Sequence, residues 1–182
     1  MKAVFLDRDG TINRKPREGK YVTSWREFKL LPNVDKAIRH LNEAGFLVIV
    51  VTNQRGVAIG YMTEDRLREI HRQMVDKLSS MGARIDAVYY CPHEERLCSC
   101  RKPETGLFRQ AKADYPEIDF ANSYVIGDSP KDIEAGKRIG CTTIMIVSAQ
   151  RGTKGSRPPI TGLTAISLYE AVNEHVIPER NS

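Results

Sequence analysis

Short apolar runs alternate along the chain with stretches whose apolar residues recur at helical spacing. The runs Ala3 to Leu6, Phe46 to Val51, Ala87 to Tyr90, Tyr124 to Ile126 and Thr143 to Val147 read as strands. Between them Val34, Ala37, Ile38, Leu41 and Ala44 form one helical stripe, with Pro32-Asn33 before it and Gly45 after it, where a left-handed cap is expected. Leu67, Ile70, Met74, Leu78 and Met81 form a second stripe behind Thr63 as N-cap. Further helices are expected from Thr105 to about Tyr115, from Pro130 to Ile139 and from about Leu168 to Val176. Alternation of this kind predicts an α/β fold, a mostly parallel sheet covered on both faces.

Ligands on open α/β sheets bind beyond the carboxyl ends of the strands. Every unusual polar motif here follows a predicted strand: Asp7 to Thr11 the first, Thr52-Asn53-Gln54 the second, a Cys/His cluster the third and Gly127-Asp128 the fourth. A composite site at one rim is therefore expected. The Gly, Pro and Arg-rich stretch from Ala149 to Gly162 reads as a loop near that rim.

The motifs suit phosphate chemistry. A carboxylate such as Asp7 attacks phosphorus when a cation cancels the repulsion from the phosphoryl oxygens. Asp9, two residues on, suits a general acid that then acts as base, and Gly10 relieves crowding at the turn. Thr52 and Asn53 offer a hydroxyl and N–H groups to phosphate, Lys102 offers a neutralising charge, and Asp128 offers a hard oxygen for magnesium, with Asp132 behind it. Each has a plainer reading taken alone: Asp7 and Asp9 as turn residues, Thr52-Asn53 as a turn, Lys102 as a solvated cation, Asp128 as a helix cap. Lys131 is expected to face solvent.

Cys91, His93, Cys98 and Cys100 supply three thiolates and an imidazole, a closed tetrahedral set for a structural zinc; the alternative is free buried cysteines beside an incidental histidine. Arg101 and Lys102 follow the last ligand directly, so the metal would shape the loop that carries a catalytic lysine. No recognition helix follows at the spacing of a DNA-binding finger.

The ordered set Asp7 to Thr11, Thr52, Lys102 and Gly127 to Asp132 resembles the haloacid dehalogenase (HAD) superfamily of phosphotransferases over nearly the whole chain. The resemblance implies a three-layer Rossmann-like fold, Asp7 as nucleophile, Asp9 as general acid/base, and Thr52, Asn53 and Lys102 as phosphate binders. It also implies Mg2+ held by Asp7, the Asp9 main-chain carbonyl and Asp128. Spacings leave room for loops only, including Ile12 to Leu31 and Arg55 to Met62, so no large cap domain is expected. The Cys-Pro-His and Cys-x-Cys-Arg-Lys-Pro elements are similar to the group containing heptose-bisphosphate and histidinol-phosphate phosphatases, whose members carry Zn2+ in this short loop, 91–100. The run Thr52 to Tyr61 favours the former, hence a small-molecule sugar bisphosphate. Arg55 and Arg101 are candidates for its distal phosphate, though a single residue of this kind is more often a surface cation. The preferred anomer is not encoded in these residues.

A chain of 182 residues fits one domain, here 1–182, and buries roughly two-thirds of its unfolded surface without a metal to hold it together. The formal charge of +5 favours anionic partners without choosing among them. The apolar start Met1 to Leu6 is too short for a signal peptide or a membrane span, so a monomeric cytoplasmic enzyme bound to neither membrane nor nucleic acid is expected. Three rivals remain: a histidinol-phosphate phosphatase, a nucleic-acid end phosphatase, for which the loops are expected to offer no aromatic stacking platform, and a zinc module binding nucleic acid through Arg151, Lys154 and Arg157.

Overall fold

A computed structural model describes residues 1–95, 97–147 and 162–178. The basic segment carrying Arg151, Lys154 and Arg157, and the expected rim loop apart from Gly162, lie outside the described residues. The six strands are β1 (Ala3–Leu6), β2 (Leu47–Asn53), β3 (Ala87–Cys91), β4 (Tyr124–Gly127), β5 (Thr142–Ile146) and β6 (Leu163–Ala165). They form one sheet in the order β3-β2-β1-β4-β5-β6, and every neighbouring pair is parallel. Successive strands wind outward from β1 in one direction and from β4 in the other. A crevice therefore opens beyond the carboxyl ends of β1 and β4, where the winding reverses.

Alternation along each strand makes the fold three-layered, because successive side chains point to opposite faces. Val4, Leu6, Val48, Val50, Ile126 and Ile144 pack on one side beneath α1 (Val34–Glu43), α2 (Glu64–Ser80) and α5 (Leu168–Ala171). Ala3, Phe5, Ile49, Val51 and Val125 pack on the other beneath α3 (Gly106–Asp114) and α4 (Pro130–Arg138). Phe5 meets Phe108 of α3 edge-on at 5.1 Å. Leu41 of α1 is fully buried, and truncation to Ala would cost about 2–5 kcal/mol. The helix ends follow the sequence: Thr63 Oγ1 accepts from Arg66 N–H at 3.2 Å, and Gly45 takes φ 78° after α1. Among the described residues no helix is long and apolar enough to cross a membrane.

Three elements differ from expectation. β2 runs on through Thr52 and Asn53, which pair with Tyr90 and Cys91, so these polar residues sit on a strand end. β6 is an edge strand of three residues, too short for a readable alternation. The last helix widens after Ala171 into a π-helical turn, Val172–Val176.

Candidate active site

The chain leaves β1 through a tight turn. The Asp7 N–H still reaches Ile126 O at 2.9 Å, and then the N–H groups of Thr11, Ile12 and Asn13 all converge on Arg8 O at 3.3, 2.8 and 3.1 Å. Gly10 stands at φ 96°, and a Cβ there would lie 2.3 Å from Asp128 Oδ2. Glycine is thus required by backbone conformation and by the approach of β4's end. Gly127 serves that approach too, since a Cβ would lie 2.4 Å from Asp132 Cγ.

Asp7 and Lys102 face each other across the rim. Lys102, 2 % exposed, donates to Asp7 Oδ1 at 2.8 Å, to Val51 O at 2.6 Å and pairs with Asp132 Oδ1 at 2.6 Å. Burial alone would favour the neutral amine, but Asp132 and Asp7 outweigh it and hold the ammonium above its usual pKa. Burial also pushes the Asp7 carboxyl up, to about 7; Lys102 pulls against this, while Asp132 and Asp128 add to it. Asp128 pairs with Lys15 of the 12–31 loop at 2.7 Å. Asp132 also accepts from the N–H and hydroxyl of Ser129 at 3.1 and 2.8 Å, so Ser129, rather than Asp128, begins α4. One carboxylate oxygen from each of Asp7, Asp128 and Asp132 falls within 4.8 Å of the others. Three carboxylates gathered this closely offer hard oxygen donors that fit a divalent cation.

Asp9 is in the opposite electrostatic condition. Burial raises its pKa, yet the Arg8 guanidinium and the amides of Asn13 and Gln54 more than offset that, and the carboxyl is held below its usual value. Asn13 Nδ2 donates to Oδ1 and Gln54 Nε2 to Oδ2, both at 2.9 Å. The same Gln54 amide donates to Thr52 Oγ1 at 2.9 Å. Asn53 plays a structural part. Its side-chain amide exchanges two 3.0 Å hydrogen bonds with the Lys102 main chain, tying the end of β2 to the segment behind the Cys/His cluster.

A cavity of about 260 Å³ gathers Asp7, Asp9, Thr52, Asn53, Lys102, Asp128 and Asp132. Its outer wall is the 12–31 loop, which contributes Lys15, Arg17, Glu18, Lys20 and Tyr21. That loop closes on itself through Leu31 N–H to Ile12 O at 2.9 Å and Arg14 N–H to Lys29 O at 2.7 Å. Tyr21 meets Tyr61 of the 55–62 loop with ring centroids 5.2 Å apart and planes tilted by 49°, and of the two Tyr21 lines the cavity. Arg55 and Arg101 do not line the cavity. Arg55 pairs with Glu94; Arg101 reaches His93 O at 3.3 Å and Glu95 at 3.7 Å. Lys131, half-exposed, also pairs with Glu95, at 2.6 Å.

Beside Lys102, the donor atoms of Cys91, His93, Cys98 and Cys100 lie within 4.8 Å of one another. The three sulfur–sulfur distances are 3.4, 3.1 and 3.2 Å, and His93 Nδ1 is 3.3 Å from Cys100 Sγ. Zinc–sulfur bonds of about 2.3 Å span tetrahedral edges of roughly 3.7 Å, so the set fits zinc with slight expansion. Burial disfavours thiolates here and pushes Cys91 and Cys100 up, whereas hydrogen bonds, the largest from Cys100, bring Cys98 down to about 6.

The family model described as Polynucleotide kinase 3 phosphatase matches residues 2–151. The chain is 42% identical over 146 residues to a D-glycero-beta-D-manno-heptose-1,7-bisphosphate 7-phosphatase of Rhodopseudomonas palustris, covering 76% of this chain and 79% of that one. It is 38% identical over 154 residues to a D-glycero-alpha-D-manno-heptose-1,7-bisphosphate 7-phosphatase of Mycobacterium tuberculosis, covering 84% and 80%. This chain belongs to the heptose-1,7-bisphosphate 7-phosphatase family. It is a family of phosphatases on the HAD fold. A crystal structure of D,D-heptose 1,7-bisphosphate phosphatase from B. bronchiseptica, complexed with magnesium and phosphate, superposes with a TM-score of 0.84 at 32% identity, covering 97% of this chain and 98% of that one.

Sequence reasoning missed several residues that the fold brings to this cavity or packs behind it. Lys15 and the 12–31 wall carry no motif, and only folding brings Lys15 to Asp128, 113 residues away. Arg8 and Gln54 stand inside the quoted motifs, but nothing local shows that both turn to Asp9. His71 left a legible trace: it falls on the apolar stripe of α2, between Leu67 and Met74, where a polar ring must find a buried partner.

Proposed function

We propose that this chain hydrolyses the 7-phosphate of D-glycero-D-manno-heptose 1,7-bisphosphate by way of an aspartyl phosphate. The observation that carries the reading is the convergence of Asp7, Asp9, Thr52, Lys102 and Asp128 on one cavity at the reversal point of the sheet. An oxygen of Asp7 attacks phosphorus, the bond from phosphorus to the sugar oxygen breaks, and that oxygen takes a proton from Asp9. Water then attacks the same phosphorus, gives a proton to Asp9, and the bond to Asp7 breaks. Held ionised at rest, Asp9 is set for the second half; for the first it must gain a proton in the complex, and a phosphate monoester with a second pKa near 6 carries one as its monoanion.

Lys102, Thr52 and the Asn53 main chain hold the phosphoryl oxygens, and the Asn53 side chain keeps Lys102 in place. The Mg2+ that Asp7, the Asp9 main-chain carbonyl and Asp128 would hold supplies the screening that lets a carboxylate approach a phosphate. Zinc in the 91–100 loop would fix the segment that carries Lys102 without touching substrate. The distal phosphate faces the basic wall of Lys15, Arg17 and Lys20; Arg55 and Arg101 join it only by leaving Glu94 and Glu95. We read residues 1–182 as one phosphatase unit, a cytoplasmic monomer.

The description of the matching family model and the Tyr21–Tyr61 pair support a second reading, a nucleic-acid 3′ end as substrate. Phosphate release with Mg2+ separates them: both anomers of the heptose bisphosphate, histidinol phosphate and a 3′-phosphorylated oligonucleotide are compared by kcat/KM. One heptose anomer is expected to lead by at least tenfold. A lead for histidinol phosphate or the oligonucleotide removes the heptose assignment.

A further inference from the structure

Arg8 is a full cation with none of its surface exposed. Such a group is sustained only by partners that satisfy and neutralise it. Among the described residues it has two hydrogen-bonding side-chain partners. Its Nε and Nη2 donate to Asp9 Oδ1 at 3.3 and 3.0 Å, and Nη2 also donates to Oδ2 at 2.9 Å. Its Nη1 lies 3.0 Å from His71 Nε2. A guanidinium only donates, so His71 Nε2 accepts and its proton sits on Nδ1, a buried atom with no partner. The Phe28 ring lies 6.0 Å from the guanidinium carbon. His71 is thus a neutral acceptor, and its burial together with the adjacent cation keeps it so.

We propose that Arg8, backed by His71 on α2, is a positioning residue that sets the plane and aim of the Asp9 carboxylate for proton transfer. The inference rests on the reading of Asp9 as acid and base. Asn13 and Gln54 each give Asp9 one neutral hydrogen bond. The guanidinium fork spans both oxygens, and a fork fixes the plane of a carboxylate as single donors do not. His71 in turn fixes the fork, because its acceptor nitrogen holds the Nη1 corner from the opposite side. A helix that does not itself line the cavity thereby determines where a proton-transfer group points.

The test is steady-state turnover of the heptose bisphosphate, with inorganic phosphate as competitive inhibitor, for Arg8→Met, Asp9→Asn and the double variant. Arg8→Met is expected to lower kcat by about 10²-fold, with KM and the phosphate inhibition constant within about threefold of the parent. In the Asp9→Asn background the same change should add less than about threefold, because a residue acting through Asp9 has nothing left to act on. Losses that multiply, or a KM that rises with the fall in kcat, overturn the proposal. His71→Leu is expected to lose about tenfold in kcat, and His71→Gln, which keeps an acceptor, to restore it. Should Arg8→Met fail to fold by circular dichroism, this His71 pair decides, and equal activities sink the idea. A fully active Asp9→Asn would remove the acid/base reading itself; a stalled Asp9→Asn beside an active Arg8→Met removes only the positioning role.

Discussion

Replacing Lys102 by Met keeps the length of the side chain and removes its charge. The ammonium is buried against two carboxylates and a carbonyl, at 2.8 Å from Asp7, 2.6 Å from Asp132 and 2.6 Å from Val51 O. Removing one partner from a buried ion pair costs about 3–5 kcal/mol, because the other charge stays behind uncompensated. For a chain of this size that is a fall of about 6–20 °C in Tm. The Asp7 carboxyl, already raised to about 7 with Lys102 opposing the rise, climbs further without it, so less nucleophile is ionised at neutral pH. Thermal denaturation in EDTA should show the full fall, and Mg2+ should recover part of it by supplying positive charge to the same carboxylates. Phosphate release should drop by about 10²–10³-fold. A Tm within about 2 °C of the parent in EDTA would refute the reasoning, since it would mean that these carboxylates relax to solvent once the lysine is gone.

Gly10→Ala is expected to weaken Mg2+ binding and abolish turnover, since its Cβ would meet Asp128 Oδ2 at 2.3 Å in a backbone already at φ 96°; Mg2+ titration of phosphate release at near-parental activity would contradict this. Cys98→Ser should lose zinc by metal analysis and lower kcat through a displaced Lys102, and full activity in a zinc-free variant would disconnect the cluster from the site. In the metal-free protein the raised Asp7 pKa means that the folded state binds a proton the unfolded state has released, so stability falls as pH rises from about 4 to about 7 and is level above. The Tm of Asp7→Asn relative to the parent in EDTA should accordingly be more favourable at pH 8 than at pH 4, and an equal difference at the two pH values would count against a raised Asp7 pKa.

The site's centre is legible in the sequence because its chemistry sits at strand ends. Asp7, Thr52 and Asp128 each follow or finish an apolar run, and parallel strands deliver such residues to one rim whatever the loops do. Lys102 is legible for another reason, its place directly behind a metal-ligand pattern. Periodicity also carries the two faces of the sheet, down to the alternation of Val4 and Leu6 against Ala3 and Phe5. It fails for β6, where three residues on an edge need only one buried side chain, Ala165, and so write no pattern.

Direction is what the sequence conceals. Arg55, Arg101, Lys15, Arg17 and Lys20 are five similar cations on loops, yet three line the cavity and two are turned to acidic residues of the Cys/His loop. The deciding term is a pair of neighbours, Glu94 and Glu95, standing just after His93: they offer Arg55 and Arg101 partners at short range. The Arg101–Glu95 pair is close enough in sequence to be read from the chain, whereas Arg55 meets Glu94 across 39 residues, through the fold alone. Lys15 has no acidic residue beside it in sequence, so its partner must be found in the fold, and the nearest strong negative charge at the rim is the carboxylate cluster itself. A change of charge at Arg17 or Lys20, which line the cavity, is expected to alter the choice of phosphate ester before it alters the chemistry, whereas a change at Lys15 also strips Asp128 of its ion pair and should do both at once.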